Sequence, residues 1–142
     1  MIRLLQGALA VALLFTLAAC ATSPGKPKTP EGRVALDADL RWKAMLTGDW
    51  KTAYAYFTPG YRELNRYEDF EARMMNRRIN WTAAVVDSVT CEAAERCTAR
   101  VRIEFDLIGG LPGAGEIKSF RTVDEVWLLS DGKWRMLPER QL

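Results

Sequence analysis

The chain has 142 residues, 49% hydrophobic and 27% charged, a balance that argues for a folded domain rather than a disordered one. Net charge is only +2, which leaves no electrostatic footprint for nucleic acid. Histidine is absent, and with it go the commonest general base, the usual zinc ligand and the partner of a Ser-His-Asp triad. No metal site and no cofactor is expected.

Met1-Ile2-Arg3 puts one cation ahead of a run from Leu4 to Ala19 that is apolar apart from Gln6, Gly7 and Thr16. This is the build of a secretory signal, and it is short for a permanent span of a hydrocarbon core about 30 Å thick. Losing Arg3 with the leader leaves 19 basic against 18 acidic residues, a net charge of +1. The run closes on Leu17-Ala18-Ala19-Cys20, which resembles the lipobox of bacterial lipoproteins. That resemblance implies removal of residues 1–19, acylation of Cys20 as the first mature residue, and a membrane anchor through its lipid. Several acyl chains, at about 0.8 kcal/mol per buried methylene, hold a protein on a bilayer effectively permanently. Ala21 stands where lipoproteins of this kind that are kept at the inner membrane carry Asp, so the implied location is the periplasmic face of the outer membrane.

Residues 20–32 carry Pro24, Pro27 and Pro30 and nothing to bury. They read as a semi-extended tether with Lys26 and Lys28 in water, or alternatively against anionic lipid, reaching about 30 to 35 Å at roughly 3 Å per residue. Residues 33–142 form the domain, and roughly 110 residues suffice for one modest core.

From Arg33 the spacing of Val34, Ala38, Trp42, Met45 and Leu46 predicts a helix ended by Gly48, with Asp49 capping a second helix from Trp50. Trp50, Ala53, Tyr54 and Phe57 form the second stripe, and Thr58-Pro59-Gly60 ends it. A third helix is expected from about Arg66 to Arg78, with Tyr67, Phe70, Met74 and Met75 turned inward. Arg73, Arg77 and Arg78 then sit at the negative end of its dipole, or meet an anion such as phosphate or a peptidoglycan carboxylate.

At Trp81 the period becomes two. Trp81 to Cys91 is rich in β-branched residues, while Cys97, Ala99, Val101, Ile103, Phe105 and Leu107 alternate with polar neighbours. Ile108 to Gly115, with four glycines and a proline, is a loop; Ile117 to Leu129 is a strand; Asp131-Gly132 marks a two-residue hairpin before Lys133 to Leu137. A hairpin after Cys91 sets Cys91 opposite Cys97, at a separation that suits a disulfide in an oxidising compartment. Pairing these two leaves Cys20 alone for the anchor.

Three helices ahead of a long antiparallel sheet, with Gly48-Asp49-Trp50 between the first two helices, Tyr54 to Tyr61 closing the second, and Val126-Trp127-Leu128 facing Asp131-Gly132-Lys133-Trp134, resemble the nuclear transport factor 2-like (cystatin-like α+β) superfamily. The resemblance implies an α+β fold of three N-terminal helices packed on a bent sheet of four to five strands. The sheet wraps the first helix to leave a conical pocket, and pairs often dimerise through its outer face. Candidate lining residues are Trp42, Tyr54, Phe57, Val126 and Trp127. Enzymatic members use a pocket carboxylate, for which Asp124 or Glu125 with Tyr54 or Tyr56 are the candidates. The alternative is that both acids pair with Arg100, Arg102 or Arg121 across the sheet. Three functions remain open on this reading: a non-catalytic envelope protein binding a protein partner or small apolar ligand, an isomerase or dehydratase, and a homodimeric assembly module.

Overall fold

The computed structural model describes residue 25 and residues 27–107 and 117–139. The leader, Cys20 and the glycine-rich loop at 108–116 lie outside these residues. Helix α1 spans Pro30–Thr47, α2 Trp50–Ala55, α3 Pro59–Leu64 and α4 Tyr67–Met75. The strands β1 (Ile79–Ala93), β2 (Arg96–Leu107), β3 (Ile117–Ser130) and β4 (Lys133–Leu137) form one antiparallel sheet in chain order.

The architecture corrects the expected one in three respects. Among the described residues four helices precede the sheet, not three, because Pro59 opens a helix as well as ending one: its missing N–H falls at the first turn of α3, where no intrahelical partner is needed. Helix α1 starts at Pro30 rather than Arg33, inside the expected tether. The Thr29 hydroxyl accepts from the Gly32 N–H at 3.1 Å, Pro30 sits in the first turn, and Glu31 faces the helix's positive end. Trp42, Phe57 and Trp127, expected to line a conical pocket, are instead buried in the core, and a three-helix cone of the nuclear transport factor 2 type does not describe this arrangement.

That packing follows from the two periods. Val34, Ala38, Trp42 and Met45 put one stripe of α1 against Cys97, Ala99, Val101 and Ile103 on the inner face of β2 and Trp127 of β3. Ala53, Phe57, Phe70 and Trp134 complete the core. Trp127 is fully buried, and burying so large an aromatic on removal from water stabilises by about 3 kcal/mol or more. Gly48 ends α1 in the left-handed conformation (φ 76°), which turns the next N–H, that of Asp49, back onto Ala44 O at 2.9 Å; the Asp49 side chain then caps α2 by accepting from the Thr52 N–H at 3.1 Å. Asp131 and Gly132, both at positive φ, make the tight turn between β3 and β4.

Strand β1 meets β2 with register shifts at Trp81/Ala83, Val86/Ser88 and Cys91/Ala93, each an irregularity that bends the strand. Between the last two shifts Cys91 stands directly opposite Cys97, and the two are joined in a disulfide with a Cα separation of 3.9 Å. Among the described residues no helix is long and apolar enough to cross a membrane.

Candidate functional site

Asp124 and Glu125 are neighbours on β3 and therefore point to opposite faces of the sheet. Asp124 is on the outer face, exposed, and receives a two-pronged contact from its cross-strand partner: Arg100 Nε to Oδ1 at 2.9 Å and Nη2 to Oδ2 at 3.1 Å. The hydrogen bond from Arg100 holds the Asp124 carboxyl below its ordinary range. This is one of the cross-sheet pairs the sequence offers.

Glu125 faces inward and is 5% exposed. Its partner comes from a different element: Arg41 of α1 donates from Nη1 at 2.8 Å, and Trp42 Nε1 donates to the same oxygen at 2.9 Å. Arg41, 4% exposed, also stacks against aromatic faces, with Cζ 5.4 Å from the Trp42 ring and 5.2 Å from Phe57. Helical spacing places Arg41 beside the core stripe, three residues after Ala38 and four before Met45, so the signal for this cation was present in the sequence as a charge on an apolar face. Glu125 Oε2, Arg41 Nε and Trp127 Nε1 are buried without a protein partner among the described residues.

Tyr54, the phenol expected beside a catalytic acid, is spent on local structure. Its hydroxyl donates to Asn65 O at 2.5 Å, with Arg62 O at 3.2 Å, tying α2 to the end of α3. Its ring packs edge-on against Phe57 and Tyr67. Tyr56 lies elsewhere, with its phenol pushed above its ordinary value by burial and then by Asp37. The structure thus does not bring Asp124, Glu125 and a tyrosine together. Trp42, Phe57 and Trp127 are core, and Val126 is half-buried in line with Asp124. None of the five candidate lining residues borders the open concavities described next.

The Arg73, Arg77 and Arg78 cluster divides. Arg77 is clamped between two indoles, its Cζ 4.9 Å from the Trp50 ring and 4.7 Å from Trp81, and donates to Met74 O at 2.6 Å. Desolvation lowers its pKa. Arg73 reaches the Tyr61 hydroxyl at 3.3 Å, and Arg78 is exposed. Three guanidinium groups do not converge on one anion here.

Two open concavities border the domain surface. One, about 470 Å³, lies on the outer sheet face beside Arg102, Glu104, Lys118 and the exposed Phe120. The other, about 880 Å³, is a groove between α1, α2 and the β3–β4 turn. It takes its basic rim from Lys28, Arg33, Lys133 and Arg135, against Asp37 as the acid among its lining residues. Clusters of metal-ligating side chains do not occur among the described residues.

Helices followed by a four-stranded antiparallel meander, with a packed interior and shallow surface grooves, define an α+β domain of the kind used for binding as readily as for catalysis. No protein-family model matches the chain, and no curated protein does. Among solved structures it is similar to a SEC-C motif containing protein from Rhodopseudomonas palustris, with a TM-score of 0.54 and 17% identity over 69% of this chain and 70% of that one. It is also similar to a protein from Xanthomonas campestris assigned as a calcium/calmodulin-dependent protein kinase II association domain, with a TM-score of 0.51 and 15% identity over 82% and 93% of the two chains. A SEC-C motif containing protein from Psychrobacter arcticus gives a TM-score of 0.50 at 12% identity, and there the match spans 55% of the other chain. At these identities the likeness is one of fold alone.

Proposed function

We propose that this is a lipid-anchored protein of the bacterial cell envelope whose domain binds a partner without catalysing a reaction. The anchor half of the proposal rests on Leu17-Ala18-Ala19-Cys20 behind a charged and apolar leader, and it sets the protein on the periplasmic face of the outer membrane. The Cys91–Cys97 disulfide is consistent with an oxidising compartment.

The binding half is carried by Glu125. A general base needs a carboxylate that a substrate can reach and that is free to take a proton. Glu125 is buried and held by Arg41 and Trp42, and Asp124 is gripped at both oxygens by Arg100. Both acids therefore have structural work as hydrogen-bond acceptors. Cross-linking in intact cells tests the proposal: a discrete adduct with an envelope protein or a second copy is expected, and recovery of the uncross-linked chain alone contradicts it.

A further inference from the structure

The groove between α1, α2 and the β3–β4 turn lies apart from Asp124, Glu125 and the arginine cluster, and its chemistry is specific. On α1, Arg33, Leu36 and Leu40 follow one another at helical spacing, forming a stripe separate from the core stripe of Val34, Ala38 and Met45. Leu36 and Leu40 are 38% and 41% exposed, so this stripe shows apolar surface to the groove. Lys28, Arg33, Lys133 and Arg135 stand around it, giving a local excess of positive charge on a protein whose total is close to neutral. Exposed leucines among cations are the surface that lies on an anionic interface: the side chains enter the headgroup boundary while the cations meet the phosphates.

The path of the chain supports the same occupant. Arg33 Nη2 donates to Lys28 O at 3.2 Å, and Pro27 packs so closely on α1 that a Cβ added to Gly32 would lie 2.8 Å from Pro27 Cβ. The segment from Pro27 onward is therefore fastened along the groove's edge. Cys20 lies seven positions before Pro27, a reach of no more than about 25 Å fully extended. The spacing from Cys20 to the first fastened residue is thus shorter than the composition alone implies, and the domain begins at the rim of this groove.

We infer that the groove seats on the headgroups of anionic phospholipid in the bilayer that holds the anchor, with Lys28 and Lys133 meeting phosphates and Leu36 and Leu40 at the headgroup boundary. The inference rests on the anchor proposal for its geometry, but its test does not need the acyl chains. The mature chain from position 20 with Cys20→Ser contains the entire core, which begins at Val34. It is sedimented with vesicles rich in phosphatidylglycerol and with vesicles of phosphatidylcholine alone. Selective binding to the first is expected, weakened by added salt, since surface cations act over a Debye length of about 8 to 10 Å.

Lys28→Gln with Lys133→Gln removes two exposed cations, each worth about 1 kcal/mol near an anionic surface, and lowers partitioning about 30-fold. Leu36→Gln weakens binding independently of salt, and circular dichroism checks that each variant is folded. Equal partitioning into both vesicles, or a double lysine variant that binds like the parent, overturns the inference. An acylated chain in cells whose unacylated form ignores anionic vesicles leaves the anchor standing and removes this surface; an unacylated chain in cells removes the anchor itself.

Discussion

Replacing Glu125 by Ala probes whether the interior of this domain is a packed core or a reaction site. The substitution deletes the acceptor of two hydrogen bonds, from Arg41 Nη1 at 2.8 Å and Trp42 Nε1 at 2.9 Å, at a position 5% exposed. Orphaning a buried donor costs about 1 to 3 kcal/mol, and leaving a buried charge uncompensated costs about 3 to 5 kcal/mol, so the second term dominates. A loss of about 3 to 5 kcal/mol is a large part of the roughly 5 to 15 kcal/mol available to a domain, and corresponds to a fall in Tm of about 12 to 20 °C. Glu125→Gln keeps an acceptor oxygen while removing the charge, and should fall between Ala and the parent. Arg41→Met with Glu125→Leu removes both charges and both unpartnered polar atoms, Arg41 Nε and Glu125 Oε2, leaves only Trp42 Nε1 without its acceptor, and should lie about 1 to 3 kcal/mol below the parent. Urea unfolding followed by tryptophan fluorescence measures all of these, and the double-mutant cycle isolates the coupling. If Glu125→Ala unfolds within about 1 kcal/mol of the parent, or the double variant is as unstable as the two single losses added together, the reasoning about this pair is wrong.

Other expectations follow from the same geometry. Cys91→Ala with Cys97→Ala reopens a short loop and should lower stability by about 2 kcal/mol on the chain-entropy account, read as a reduced urea midpoint that reductant reproduces in the parent. Gly48→Ala forces a side chain to φ 76° at the end of α1 and should cost about 1 to 2 kcal/mol; a neutral result would mean the turn can relax. Asp124 and Asp49 both have carboxyl groups held below the ordinary range, Asp124 by Arg100 and Asp49 by Thr52. The stability they supply is present above the unfolded-state pKa near 4 and disappears as pH falls through the lowered folded values. Asp124→Asn should therefore flatten part of the acid limb of the urea midpoint plotted against pH, and an unchanged limb contradicts the assignment.

How much of this was legible beforehand can be traced residue by residue. Strand β2 declares itself because one face is buried and the other wet, so Cys97, Ala99, Val101 and Ile103 alternate with charges; the reading fails only past Ile103, where Asp106 is buried and Leu107 exposed. Asp131-Gly132 and the pair Cys91 and Cys97 were readable because turn chemistry and hairpin register are local. Helix α3 was missed because Pro59 carries two meanings, terminator and first-turn residue, and the sequence alone favours the first. The early start of α1 had a readable signal, Thr29 followed by Pro30 and Glu31, obscured by the proline-rich surroundings. For Glu125 the sequence offers either a pocket carboxylate or cross-strand arginine partners, the neighbours a sheet supplies. Its actual partner, Arg41, lies 84 residues away on a packed helix, and only tertiary structure sets that contact.

The proposed anchor and the inferred groove both require a bilayer, so the chemical state of Cys20 is the most direct measurement. Protein extracted from envelopes should yield an N-terminal tryptic peptide that begins at Cys20, ends at Lys28 and carries the mass of a diacylglyceryl group and an N-acyl chain. A peptide that begins upstream of Cys20, or an unmodified Cys20, contradicts the account.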